Sequence, residues 1–175
     1  MIRKDRYVVL GAVLAVCVIW GACKQQRQPC LTPKVASLIL ETMHITTDTG
    51  TIFSDTSLPA AQFLALPTAG NADTFLFTQA AVFTISLSPT SNSCQWLFRA
   101  DSVANSPRGT LFDTITFYYK RDLQFLSNAC GYVNFYDLDS IRTSHFNIDS
   151  VHIINASVTN DISKKHVQVY IHPGF

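Results

Sequence analysis

Charge is what this sequence has least of. Lys, Arg, Asp and Glu make up 14% of its 175 residues, well below the roughly one quarter of an ordinary soluble protein, and the formal net charge is only +1. The basic groupings, Arg3-Lys4-Arg6, Lys24 with Arg27, and Lys164-Lys165, are too small to neutralise a run of phosphates, which excludes nucleic acid as a partner. Long helical periodicity, internal repeats and low-complexity runs are also missing. So are the motifs of the common enzyme classes. There is no Gly-rich phosphate loop, no nucleophile elbow and no His-Glu-x-x-His pair, and Asp48, Asp55, Asp73 and Asp113 make no calcium-loop spacing. The expectation is a non-enzyme without a cofactor.

What is present begins at the N-terminus. Arg3, Lys4 and Arg6 give a positive start, Tyr7 to Trp20 an apolar stretch, and Gly21-Ala22 the small residues required before a signal-peptidase cut. The stretch is shorter than the roughly 20 residues that cross a bilayer, so residues 1–22 read as a removed signal. Cys23 follows at once, and Gly21-Ala22-Cys23 resembles the lipobox of bacterial lipoproteins. That resemblance implies a diacylglycerol group on the Cys23 thiol and acylation of the new amino group. Cys17, preceded by bulky Val16, does not fit. Two or three acyl chains anchor stably where one binds marginally, so the mature chain is expected to sit on a membrane without spanning it. The competing reading makes Cys23 an ordinary thiol near a secretory cut.

Residues 23–32 then read as a lipidated polar tether. Lys24 to Pro29 contain no acidic run, and acidic residues there resemble surface-export signals. Their absence points to the periplasmic face of the outer membrane. With Cys17 in the signal and Cys23 taking the lipid, three thiols, Cys30, Cys94 and Cys130, remain in an oxidising compartment and suggest one disulfide and one spare. Alternation puts Cys94 on one strand face with Trp96 and Phe98, as for a buried apolar thiol, which favours Cys30 with Cys130. Cys94 with Cys130 stays open as the alternative.

From Pro33 onward the apolar pattern has period two. Strands are expected at Val35–Thr46, Asp73–Thr78, Ala81–Leu87, Cys94–Phe98, Thr114–Tyr119, Tyr132–Leu138, Val151–Val158 and His166–His172, segments rich in Val, Ile, Thr, Tyr and Phe. Turn clusters separate them: Pro67–Asn71, Ser88–Asn92, Asn105–Gly109 and Thr159–Asp161. The one helix candidate, around Pro59–Leu66, is short and reads equally as a loop. Together these predict an all-β fold, an antiparallel immunoglobulin-like β-sandwich over residues 33–175 behind the lipoprotein signal segment.

Cys23, Cys30 and Thr32-Pro33-Lys34 lead into an apolar strand, Cys130-Gly131 come later, and His166-Val167-Gln168-Val169-Tyr170-Ile171 close the chain. In these features the sequence resembles a family of uncharacterised lipoproteins from the Bacteroidetes, domain of unknown function 6452. The resemblance implies an envelope address and no assigned activity.

Two function classes follow. The first is a non-catalytic interaction module, tethered by lipid, whose loops or exposed Tyr118, Tyr132, Tyr136 and Tyr170 meet an envelope protein or glycan. Any one of these Tyr residues can equally be core. The second is a small envelope hydrolase or metal-binding protein. It would use His152, His166 and His172 as convergent ligands, or Asp137 and Asp139, placed on one face by alternation, as an acid-base pair. Solvent-facing strand histidines and turn-forming aspartates are the plainer readings of both sets.

Overall fold

The computed structural model describes residues 29–46, 52–55, 58–66, 74–100 and 111–172. The signal segment with Cys17, the lipid-attachment candidate Cys23, the tether up to Gln28, and the turn clusters at 67–71 and 105–109 lie outside the described residues. The chain divides at Cys30/Leu31 into two units, and every described strand belongs to the second.

Among the described residues there is no helix, and eleven strands are present: β1 (Ser37–Thr46), β2 (Ile52–Asp55), β3 (Leu58–Leu66), β4 (Thr74–Ala80), β5 (Val82–Ser86), β6 (Ser93–Arg99), β7 (Asp113–Ser127), β8 (Gly131–Thr143), β9 (Ile148–Ile153), β10 (Ser157–Val158) and β11 (Val167–Ile171). The alternation seen in the sequence is the cause. Ile115, Phe117 and Tyr119 of β7 are buried between half-buried Thr114, Thr116 and Tyr118, and Val167, Val169 and Ile171 of β11 are buried in the same way. Side chains of period two give each strand one face for a core.

Two sheets form a sandwich-like arrangement. One runs β10-β8-β7-β6-β3-β4, antiparallel throughout. The other runs β2-β1-β11-β9, with β5 also on β1. There β5 lies along Ser37–Glu41 and β2 along Met43–Thr46, while β11 holds the opposite edge of β1 at Leu40–His44. This last pairing is parallel, which departs from the antiparallel expectation. A parallel neighbour needs a long return path, and here that path is almost the whole domain.

Phe63 joins the two layers. Its ring centroid lies 4.8 Å from Phe98 on its own sheet, 5.1 Å from Phe83 of β5 on the other, and 6.5 Å from Trp96. Between β4 and β5 the chain changes sheet at Ala81, whose carbonyl accepts both the Thr42 backbone N–H (2.8 Å) and the Thr42 hydroxyl (3.2 Å). Another change of sheet divides the strand expected at Val151–Val158: β9 pairs with β11 and β10 with β8.

The helix candidate Pro59–Leu66 is strand β3. Its Ala-rich composition suits a helix locally, but pairing with β4 on one side and β6 on the other satisfies its backbone, and buries Leu58, Ala61 and Phe63. Tertiary packing overrides a weak local preference of this kind.

Candidate functional site

The longest strands, β7 and β8, form a hairpin that outruns the sheet opposite. Cross-strand pairs put Tyr119 with Leu138, Arg121 with Tyr136, Leu123 with Asn134, and Phe125 with Tyr132 on one face. The inner part of that face is core: Tyr119, Tyr136 and Leu138 are buried, and the two Tyr rings meet edge to face at 5.2 Å. The cover ends at the Ser88–Asn92 turn. Arg121 closes it, donating from Nε to Asn92 Oδ1 (2.8 Å) and from an NH group to the Pro89 carbonyl (2.9 Å). Past Arg121 the same face continues uncovered, with Leu123 61%, Phe125 53% and Tyr132 65% exposed.

The tip is built by its turn. Residues 128–130 connect the strands, Ser127 pairs with Gly131, and the register shifts beside Phe125. Gly131 has φ +75°, the left-handed conformation that a short hairpin loop needs and that a side chain disfavours. The Cys130 N–H donates to Ser127 Oγ at 3.0 Å. Cys130 is disulfide-bonded to Cys30, and Cys94 is the free thiol, as the sequence favoured. The Phe125 and Tyr132 rings meet across the strands in a tilted contact, their centroids 5.2 Å apart. The result is an exposed, preassembled apolar face able to bury Leu and aromatic surface against a partner.

Cys94 lies beneath the inner part of the hairpin. Burial pushes its thiol pKa up, against weaker opposition from hydrogen bonding to Tyr119 and the Ser88 backbone. The Tyr119 and Tyr136 hydroxyls are pushed up by burial first and by Cys94 second. Tyr119 Oη accepts the Ser88 N–H (2.9 Å) and donates to the Ser88 carbonyl (3.2 Å), while Tyr136 donates to Leu87 O. A thiol kept neutral in this way is a packing group, because the thiolate is the reactive form.

The three histidine candidates have separate settings. His166 is fully buried, its Nδ1 accepting the Ile39 N–H at 3.0 Å while its backbone N–H donates to Ile39 O at 2.9 Å. His152 is exposed, edge-on to Tyr170 at 5.3 Å, and His172 Nδ1 lies 3.7 Å from Asp149. His166 turns inward because it precedes β11, before the strand alternation starts. Among the described residues no three His, Cys, Asp or Glu side chains gather as a metal would require. Asp137 and Asp139 lie within β8 rather than at a strand end, and both are exposed. A register shift leaves Asp139 unpaired between Leu138 and Ser140, and buried Leu138 separates the two exposed carboxylates along the strand.

Of the four Tyr residues proposed as contacts, Tyr136 is core, Tyr118 and Tyr170 are half-buried, and Tyr132 is the most exposed. Leu123 and Phe125 were not foreseen as contacts. Their alternation with Asp122 and Gln124 carries the signal, beyond the Lys120-Arg121-Asp122 run that masks it.

A family described as "Family of unknown function (DUF6452)" matches residues 48–171. The match takes in β2 through β11 and stops short of β1. No curated protein and no solved structure matches the chain.

Proposed function

We propose that this chain, which belongs to the family of unknown function DUF6452, is a cell-envelope lipoprotein: a non-catalytic binding module held on a membrane by acylated Cys23. The observation that carries the reading is the Cys30–Cys130 disulfide. Such bonds persist in oxidising compartments and are rare in the cytosol, so the bridge argues for export. The charged start, apolar stretch and Gly21-Ala22-Cys23 of the sequence supply the route and the attachment point. The absence of an acidic run after Cys23 favours the periplasmic face of the outer membrane. The exposed hairpin face supports binding, and the separate settings of buried His166, of His152 against Tyr170 and of His172 beside Asp149 do not favour the rival metal-binding reading.

Intact mass spectrometry of the detergent-extracted protein, with and without reduction and beside a Cys23→Ala variant, tests the proposal. The expected species begins at Cys23, carries acyl mass, and gains the mass of two hydrogen atoms when the reductant opens the disulfide to two thiols. An unmodified full-length chain would sink it.

A further inference from the structure

The lipid-anchor reading, on which this inference rests, brings the uncovered hairpin face to a defined place. Cys23 lies seven residues before Cys30, and Cys30 is bonded to Cys130 in the hairpin turn. A chain reaches at most about 3.6 Å per residue and a disulfide holds its Cα atoms within about 7 Å. The lipid-bearing residue therefore stays within roughly 32 Å of Cys130 at full stretch. Tyr132 is two residues past Cys130, about 7 Å along the strand, and Phe125 is its cross-strand partner. The part of the domain tied closest to the lipid is thus the part with an uncovered apolar face.

We propose that the face formed by Leu123, Phe125 and Tyr132 beds into the headgroup region of the bilayer that holds the Cys23 lipid, docking the domain against the membrane. The chemistry of the face suits a lipid surface. Tyr is favoured where one end of a side chain is apolar and the other wet, and Phe and Leu enter the acyl boundary. From Arg121 to Tyr136 the hairpin carries one cation, Arg121, and one anion, Asp122. Arg121 is already engaged by Asn92 and Pro89. Docking is therefore apolar, needs no anionic lipid and is insensitive to salt.

The test uses the full acylated protein carrying Phe125→Trp, in vesicles of phosphatidylcholine alone, with spin-labelled lipids as quenchers. Buried Trp96 supplies the background in the unsubstituted protein, and the mass of the same sample reads the acylation. The expected result is loss of the added emission with a label near the headgroups, and less loss with one at the bilayer centre, since interfacial side chains sit roughly 5–10 Å deep. Adding Leu123→Ser and Tyr132→Ser should abolish the quenching and leave the melting temperature unchanged, because both side chains are exposed. Acylated protein without quenching overturns the docking and spares the anchor. Crosslinking of this face to a second copy, with the added Trp shielded from lipid, overturns it in favour of self-association. An unacylated chain overturns the anchor and the docking together.

Discussion

Asp113 accepts the backbone N–H of Asn147 at 2.7 Å. The same buried carboxylate takes the N–H groups of Phe146 (2.8 Å) and Ile148 (3.2 Å) and the Ser144 hydroxyl (2.8 Å). A carboxylate has about four acceptor sites, and here all serve one segment, the link by which the chain leaves β8 and enters β9 on the other sheet. Asp113→Ala would strand those donors, two of which, on Asn147 and Ile148, are in buried bonds. At roughly 1–3 kcal/mol for each buried group left unsatisfied, a loss of at least about 2 kcal/mol is expected. Urea unfolding should show it as a lower midpoint with an unchanged slope, and Asp113→Asn, which keeps one acceptor oxygen, should recover part of it.

His166 makes stability depend on pH. Its Nδ1 accepts the Ile39 N–H, so the proton of the neutral ring is on Nε2, which has no hydrogen bond of standard geometry and only a backbone interaction at Ser157. Burial holds the ring pKa below its usual 6.5, against weaker raising effects from Ser157 and Asp161, and Lys164 adds to the lowering. The unfolded chain therefore binds a proton first as pH falls. His166 contributes its full stability above about pH 6.5, and that contribution declines as the pH drops through the unfolded value toward the lower folded one. Urea midpoints between pH 8 and pH 5 should fall for the native protein, and the slope attributable to this ring should vanish in His166→Leu.

Glu41 is buried and pairs with Lys165, whose side chain is 42% exposed. Lys165→Met would leave a desolvated carboxylate without its cation. The cost of breaking a fully buried pair is roughly 3–5 kcal/mol, and water reaching the lysine side reduces it to about 1–3 kcal/mol. Glu41→Gln in the Lys165→Met background should restore most of the loss, as read by thermal unfolding.

The Cys30–Cys130 bridge closes a loop of about 100 residues, worth up to about 4.7 kcal/mol in the chain-entropy model. Cys30→Ser with Cys130→Ser should lower the melting temperature. It should also weaken lipid quenching at position 125, since the tether no longer holds the hairpin turn. If stability fell and quenching persisted, the apolar face alone would suffice for docking.

How much of this was legible in the sequence follows from what alternation can report. Ile115–Tyr119 and Val167–Ile171 announce strands because one face is apolar throughout. Alternation names a face without telling what lies over it. Tyr132, Tyr136 and Leu138 share one face of β8, yet Tyr132 is exposed and the other two are core, because the opposing layer ends near Asn92. His166 looked like a partner of His172 by the same count, and its place before β11 released it into the interior. β3 was hidden by its alanines, since only the pairing on both flanks identifies it. The disulfide was reachable because Cys94 shares a face with Trp96 and Phe98, both buried.

The parallel pairing of β1 with β11 has a consequence for how the chain must be made. Ile39 and His166, bonded to each other through backbone and ring, are 127 positions apart, so a chain emerging N-terminus first presents β1 long before its partner exists. Contacts of such high sequence separation form late and slow folding. Until β11 arrives, one edge of β1 is open to pairing with any strand that passes. Loss of the last few residues of β11 should therefore hurt more than their number implies, releasing the first strand together with the last.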